Sequence, residues 1–297
     1  MANYQQYQKY RLQPESKGFK FGKMLVILVI IFVIYLIGKA IFGGSGEIES
    51  ILPAENTSTE VVNEVTNENA NSNVNAEEES NTNTNIATAG SFDLENCTKV
   101  YSRGASDKKQ VGLTFNVGTA KEGEIQKVLD TLTNTNTAAD FFVRGDVAEN
   151  NPDLINKISN ADFPIYNLSY NHPHFTDLPE SGITEQLSKA ESAISQRTNK
   201  TTKPFFRPPY GEADEDVLAA VTAAGYCPVT WTIDAMDWST AYTAEQSKER
   251  VLSNATNGAI VLMQAGNSTT AEILPSVISQ LKEQGYNIVH LDTLLTP

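Results

Sequence analysis

The sequence is poor in the residues that build metal-rich or disulfide-rich folds. Among 297 residues only Cys97 and Cys227 are cysteines, and only His172, His174 and His290 are histidines. This shortage excludes zinc fingers, iron–sulfur proteins and small disulfide-stapled domains. It also leaves few side chains for a histidine-rich metal site.

Positive charge is also scarce, and charge is unevenly distributed along the chain. The net charge is -14, which argues against a nucleic-acid-binding protein because such proteins present a basic face to phosphates. Residues 1–42 nevertheless carry six basic side chains and one acidic one, whereas residues 43–91 carry nine glutamates and no basic residue. Residues 92–297 are acidic overall. The chain is therefore interpreted as three unlike segments.

One long apolar run follows the basic N-terminal residues. Met24 to Gly38 reads MLVILVIIFVIYLIG, and with Lys39 as a snorkelling side chain the run extends to Phe42. A helix over 24–42 would be about 28 Å long, close to the hydrocarbon thickness of a bilayer. The charges predict a cytoplasmic N-terminus over 1–23, a single transmembrane helix and an extracytoplasmic remainder. The alternative is a cleaved signal peptide, which also places the remainder outside the cytoplasm.

The segment that follows the apolar run lacks aromatic residues. Residues 43–91 are mainly Glu, Asn, Thr and Ser, with no Phe, Trp or Tyr. Such a segment cannot bury enough apolar surface to offset its chain entropy. We expect a disordered linker over 43–91 that separates one domain, residues 92–297, from the membrane.

From residue 110 onward, short apolar runs alternate with amphipathic stretches. The runs predict seven strands, at Gln110–Phe115, Ala139–Val143, Phe163–Leu168, Pro204–Arg207, Pro228–Ile233, Ala259–Met263 and Asn287–Leu291. Six helices are predicted between them, at Glu122–Leu132, Pro152–Asn160, Thr184–Arg197, Asp214–Ala224, Ala244–Ala255 and Ala271–Glu283. This alternation favours a parallel α/β fold, and about 200 residues suit one barrel-like domain.

Characteristic residues mark several of these helix ends. Asn151 before Pro152 is typical of an N-cap followed by a proline in the first helical position. Gly225 and Gly285 follow predicted helices, where glycine commonly takes the left-handed conformation. Because chemistry in a parallel barrel sits at the C-terminal ends of the strands, the residues just after each strand are the candidates for a functional site.

Five strand ends carry distinctive residues. They are T-F-N-V-G from Thr114, L-S-Y-N-H-P from Leu168, F-R-P-P-Y-G from Phe206, D-A-M-D-W from Asp234 and L-M-Q from Leu262. Their order and spacing resemble the polysaccharide deacetylase family, also called the NodB-homology domain or carbohydrate esterase family 4. The resemblance covers roughly residues 109–295, and F-R-P-P-Y-G is its most specific part.

The resemblance implies a fold and a chemistry. The fold is a distorted (β/α) barrel of about seven parallel strands, in agreement with the strand count. The chemistry is metal-assisted hydrolysis of the amide bond in N-acetylated sugars. A Lewis acid polarises the acetamide carbonyl and activates a water, a carboxylate takes the water's proton, and an imidazolium protonates the leaving amine.

When the sequence is aligned with the family's motifs residue by residue, most of the expected catalytic and metal-binding residues are absent. Asn116 occupies the position of the base and Gln264 that of the general acid, and an amide can serve as neither. Val117 and Leu168 occupy two of the three metal-ligand positions, and His172 alone is retained. We therefore expect an inactive site with no bound metal; zinc or another divalent ion is expected only if an altered site is active.

Other positions still match the family. Arg207 matches the residue that holds the catalytic carboxylate, and Asp237 matches the one that orients the acid histidine. Tyr210, Trp238 and Leu262 match positions that shape the sugar-facing pocket. Arg207 and Asp237 have lost the partners they serve, so a direct pairing between them is one possible arrangement. The matching residues serve either the architecture of the barrel or contact with a ligand.

The remaining histidines and cysteines leave alternatives open. His174 and Asp177 allow a relocated metal site, although loop histidines are more often solvated or hydrogen-bonded. His290 falls in the last predicted strand, where a structural role is the better interpretation. Cys97 and Cys227 form either one disulfide or two buried thiols.

The sequence thus predicts a membrane-anchored domain of the cell envelope without deacetylase activity. Its expected partner is N-acetylated cell-wall glycan, bound weakly, and no nucleic acid is expected. Two alternatives stay open: an active hydrolase that deacetylates surface polysaccharide with an altered site, and a scaffold that binds another envelope protein.

Overall fold

The computed structural model describes Phe92, Cys97 and residues 99–296. The predicted cytoplasmic segment 1–23, the transmembrane helix 24–42 and the linker 43–91 lie outside these residues. Within the described part of the chain, none of the helices has the length and apolar character needed to cross a bilayer.

Short strands and longer helices alternate through the described domain. The strands are β1 Gln110–Val117, β2 Asp140–Val143, β3 Ile165–Asn167, β4 Phe205–Phe206, β5 Cys227–Pro228, β6 Ile233–Asp234, β7 Ala259–Gln264 and β8 Asn287–Ile288. The helices are α1 Glu122–Asn134, α2 Gly145–Asn150, α3 Pro152–Asn160, α4 Glu180–Thr198, α5 Glu215–Ala223, α6 Ala244–Asn254, α7 Ser268–Glu283 and α8 Leu291–Leu295. Single 3-10 turns lie at Phe175–Asp177 and Pro209–Gly211.

The strands form one parallel sheet that curls into a half-barrel. Their order is β5-β4-β3-β2-β1-β7-β6, and β8 pairs with the start of β1. Each strand pair is parallel, for example Asn116 with Gln264 across β1 and β7 and Asn167 with Phe206 across β3 and β4. The predicted α/β class and parallel sheet are thereby confirmed. Because the strands are parallel, their C-terminal ends lie at one end of the half-barrel, which we call the rim.

The two faces of the sheet bury different residues. Because side chains alternate along a strand, Leu113, Phe115 and Val117 of β1 pack in the core shared with α1, α3 and α7. Thr114 and Asn116 point the other way, toward Arg207. The interior of the half-barrel is filled by a second buried cluster, which includes Phe142, Tyr166, Leu168, Phe205 and Ile260.

Two predicted strands differ from the structure. Pro228–Ile233 was expected as one strand, but β5 ends at Pro228 and β6 begins at Ile233, so the chain between them crosses from one edge of the sheet to the other. The last predicted strand stops at Ile288, and His290 directly precedes α8 instead of lying in a strand. The physical reason is Asp140 of β2, a fully buried carboxylate that accepts from His290 Nδ1 at 3.2 Å and from the Leu291 backbone N–H at 3.0 Å.

A disulfide ties the start of the domain to the edge of the sheet. Cys97 is bonded to Cys227 of β5, with their Cα atoms 5.2 Å apart. Phe92 packs on Phe205, with ring centroids 5.0 Å apart, and the Tyr101 backbone N–H donates to the Pro228 carbonyl at 2.9 Å. The disulfide is confirmed, and the alternative of two buried thiols is wrong.

Candidate functional site

Arg207 lies at the centre of the candidate site, in the loop that follows β4. Its side chain is fully buried, and it donates to Asn116 Oδ1 at 3.0 Å and to Thr114 Oγ1 at 2.9 Å. The guanidinium stacks over the Phe142 ring, 4.0 Å from its centroid. Burial lowers the pKa of Arg207 to about 9, so the group remains charged at neutral pH. Arg207 thus bonds Asn116, the residue predicted at the position of the base, and not Asp237.

Asp237 has a separate set of partners after β6. Its Oδ2 accepts from the Gln264 backbone N–H at 2.7 Å and from the Thr270 hydroxyl. Its Oδ1 is buried and has no hydrogen-bond partner among the residues that the structure describes. Burial raises the pKa of Asp237 to about 6. This carboxyl therefore holds the backbone at the end of β7, and the Gln264 side chain at the acid position remains half-buried.

The three positions predicted as metal ligands, Val117, Leu168 and His172, do not form a metal site in the described residues. Val117 is fully buried and Leu168 is 1% exposed, each within an apolar cluster, so neither offers a donor atom. Burial, followed by the nearby charge of Arg144, lowers the pKa of His172 to about 4, so this imidazole is neutral at pH 7. Within the described residues no group of three His, Cys, Asp or Glu side chains is arranged to hold a metal. One neutral imidazole beside two aliphatic side chains does not fit a divalent ion.

His174 forms a hydrogen-bonded pair that the sequence did not predict. Its Nδ1 lies 2.7 Å from Glu212 Oε2, and Glu212 is buried. The His174 ring stacks on Tyr210 with centroids 4.1 Å apart, and His172 meets the same ring edge-on at 4.7 Å. Asp177 lies in the 3-10 turn after His174. His174 is therefore hydrogen-bonded to Glu212 and stacked on Tyr210. The only sequence feature that could have indicated Glu212 is its position directly after F-R-P-P-Y-G.

Four residues of this rim have a left-handed backbone. Ser169 and His172 have φ 64°, and Tyr210 and Met236 have φ 59°. Such conformations cost about 1–3 kcal/mol each for residues other than glycine, and they persist only where the surroundings enforce them. Their concentration in the loops after β3, β4 and β6 indicates that the rim is held in a specific shape.

The three predicted sugar-facing residues differ in exposure. Trp238 is 40% exposed and its Nε1–H donates to Asp234 Oδ2 at 3.4 Å. Tyr210 is half-buried between the two imidazoles. Leu262 is 3% exposed within β7. Of these three, Trp238 presents the largest open apolar surface.

Comparison with known proteins identifies the family. The model of the polysaccharide deacetylase family matches residues 103–229. A peptidoglycan-N-acetylglucosamine deacetylase of Bacillus cereus is 31% identical over 195 residues, which cover 64% of this chain and 70% of that protein. The chain belongs to the polysaccharide deacetylase family. A Listeria monocytogenes peptidoglycan-N-acetylglucosamine deacetylase is 33% identical over 192 residues, and this chain spans 40% of its length.

Solved structures support the same assignment. A wild-type CE4 family pseudoenzyme from Bacillus anthracis is 32% identical, with a TM-score of 0.63 over 66% of this chain and 68% of that one. A mutant of that pseudoenzyme with restored enzymatic activity matches equally well, with a TM-score of 0.63. The family therefore includes hydrolases as well as a pseudoenzyme relative of this polysaccharide-deacetylase-like domain.

Proposed function

We propose that this chain is a membrane-anchored, extracytoplasmic polysaccharide-deacetylase-like protein that contacts N-acetylated glycan without hydrolysing it. The proposal rests on the residue types found at four positions that the family uses for catalysis and metal binding. Asn116, Val117, Leu168 and Gln264 stand where the base, two metal ligands and the acid are expected.

The site lacks the groups that amide hydrolysis needs. The Asn116 amide cannot accept a proton from water, and its oxygen is already bonded to Arg207. The Gln264 amide cannot protonate a leaving amine. Because base, acid and metal act as a unit, the retained His172 does not supply activity by itself.

Contact with a glycan needs fewer groups than hydrolysis does. An exposed indole packs against the apolar face of a sugar ring, and Trp238 offers such a surface on the rim. The loops of the rim are held in a specific strained shape, with left-handed backbone at Ser169, His172, Tyr210 and Met236. The pseudoenzyme relative shows that a family member can lose activity and keep this fold.

The disulfide supports the proposed location. Disulfides persist in oxidising compartments outside the cytoplasm, and the Cys97–Cys227 bond is formed in this domain. An anchor over residues 24–42 with the basic residues inside would place residues 92–297 in such a compartment. Many copies on one membrane facing a repetitive polymer would strengthen a weak contact through multivalency.

Direct binding tests the proposal. We expect the purified full chain to bind N-acetylglucosamine oligomers or isolated cell wall weakly, and Trp238→Ala to weaken binding by about tenfold. Tyr286→Ala is a matched control, because Tyr286 precedes β8 at the opposite end of the strands. His172→Ala should have a smaller effect than Trp238→Ala. Circular dichroism checks that each variant is folded.

Two outcomes would overturn the glycan proposal. One is the absence of binding by the native chain, and the other is unchanged binding by a folded Trp238→Ala variant. Either result would favour the protein-scaffold alternative. Acetate release by the native chain, together with bound zinc, would favour the active hydrolase.

A further inference from the structure

Arg144 lies between the two loops that carry the family's metal-ligand positions. It connects β2 to α2, and its backbone N–H donates to the Val117 carbonyl at 3.3 Å. The backbone N–H groups of Gly145 and Asp146 donate to the carbonyls of Ser169 at 3.0 Å and Tyr170 at 2.9 Å, respectively. Gly145 permits this close approach, since a Cβ there would lie 2.7 Å from Ala190 Cα. Residue 144 is thereby fixed beside the loop after β1 and the loop after β3.

The Arg144 side chain extends over the end of β1. Its Nη1 donates to the Gly118 carbonyl at 3.4 Å, and its Cδ lies 3.8 Å from the position of a Cβ on Gly118. Gly118 directly follows Val117. In the loop after β3, Ser169, whose carbonyl accepts from the backbone N–H that follows Arg144, also accepts through its hydroxyl from the His172 backbone N–H at 2.9 Å. A guanidinium therefore lies beside the substituted position Val117 and beside the loop that carries the retained His172.

The partners of Arg144 leave part of its donor capacity open. Asp146 accepts from Nε at 3.0 Å and also from Nη2, and Gly118 accepts from Nη1. A guanidinium has five N–H donors in a fixed fork, so two of them have no partner among the described residues. The side chain is 26% exposed, which leaves it accessible to a ligand.

The local charges select the kind of acceptor. Asp146 accepts from Arg144 through both carboxylate oxygens and neutralises its charge, so this pair carries no net positive charge to attract an anion. A neutral carbonyl oxygen is the acceptor that suits two open N–H donors in this setting. The acetamide group of an N-acetylated sugar supplies such an oxygen.

We propose that Arg144 binds the acetamide carbonyl of the glycan, as a hydrogen-bonding cation beside the positions where active family members hold their metal. This inference rests on the proposed glycan contact and names a residue that selects N-acetylated over deacetylated sugar. A free amine lacks the carbonyl oxygen that the open N–H donors require. The contact holds the acetamide but, without a base or an acid, leaves its amide bond intact.

Calorimetric titration of the full chain tests the role of Arg144. We expect Arg144→Met to weaken binding of N-acetylglucosamine oligomers about tenfold, and Arg144→Lys to fall between this variant and the native chain because lysine lacks the fork. Arg197→Met is the matched control: Arg197 is exposed in the last turn of α4 and should leave binding unchanged. Glucosamine oligomers should bind the native chain at least tenfold more weakly than N-acetylated ones.

The outcomes separate this inference from the proposed function. If Trp238→Ala weakens binding and folded Arg144→Met does not, the inference is wrong and the glycan contact stands. Equal affinity of the native chain for acetylated and deacetylated oligomers also overturns it, and this comparison needs no variant that might misfold. If the native chain binds neither oligomer nor cell wall, both proposals fail together.

Discussion

At the scale of single residues, Arg207 bonds Asn116, the residue that the sequence comparison predicts at the position of the catalytic base. Its guanidinium bonds the Asn116 amide oxygen and Thr114 and stacks on Phe142. The pairing with Asp237 that the sequence allowed does not form, because Arg207 reaches across the interior to β1 whereas Asp237 is bonded to the end of β7. Sequence identifies which residues follow each strand, but the partner of each depends on side-chain reach across the barrel.

The contrast between Asn116 and Val117 gives a stability prediction. Asn116→Asp places a carboxylate beside a guanidinium nitrogen now 3.0 Å away, so we expect the free energy of unfolding to stay within about 1 kcal/mol of native. Val117→Asp places a charge in an apolar core and should cost about 3 kcal/mol or more. Urea denaturation at pH 7 measures both. Equal destabilisation by the two substitutions would contradict the assigned contacts.

His172 gives a prediction for pH dependence. Burial and the charge of Arg144 lower the pKa of His172 to about 4, below its value in the unfolded chain, about 6.5. The unfolded chain therefore binds a proton that the folded chain does not, and stability falls as pH drops from about 6.5 to about 4. Asp237, whose burial raises its pKa to about 6, acts in the opposite direction below that pH.

One substitution separates the contribution of His172 to the pH dependence of stability from that of Asp237. His172→Asn suits the left-handed backbone, which asparagine tolerates. The loss of unfolding free energy between pH 7 and pH 4.5 should be smaller in this variant than in the native chain, with Asp237 present in both. The same loss in both proteins would show that His172 is not held neutral by its surroundings.

At the scale of elements, local signals identified most of the fold. Pro152–Asn160 has the predicted bounds, and Gly225 and Gly285 take φ 79° and 83° as expected for glycines that end helices. Asn151 stands before that helix but does not cap it; its side chain donates to the Val147 carbonyl at 2.9 Å. The proline therefore marks the helix start.

Elements shaped by distant contacts were missed. The helix Gly145–Asn150 depends on backbone bonds to the loop after β3, and α8 depends on the buried Asp140. Arg144 and Glu212 were missed for the same reason, since their partners lie 26 and 38 residues away in sequence. The spacing of apolar residues predicts which face of a local helix or strand is buried. It does not predict which residues distant in sequence meet in the folded chain.

The Cys97–Cys227 bond supports a prediction for the edge of the sheet. It closes a loop of 130 residues, so its loss should lower the free energy of unfolding by about 2–4 kcal/mol. We expect this loss in the double variant Cys97→Ser, Cys227→Ser and in the native chain with reductant. The double variant should not respond to reductant. Identical denaturation midpoints with and without reductant would contradict a stabilising role for this bond.

At the scale of the whole molecule, the proposed topology predicts accessibility to protease. With the N-terminus inside and residues 92–297 outside, protease added to intact cells should cut within 43–91 and release the domain or degrade it. Immunoblotting of the cell and supernatant fractions measures this. Protection of the domain in intact cells, with cleavage only after lysis, would contradict the proposed orientation.

The central claim is that this member of the polysaccharide deacetylase family does not deacetylate. The most direct measurement is acetate release from N-acetylglucosamine oligomers by the full chain with added zinc, beside a variant that combines Asn116→Asp, Val117→Asp, Leu168→His and Gln264→His. We predict no release above the metal-free control for the native chain and for each single reversion, because base, acid and metal act together. If circular dichroism shows that the fourfold variant is folded despite the buried charge at residue 117, it should bind zinc and release acetate. Acetate release by the native chain, in proportion to zinc it retains through purification, would contradict the account.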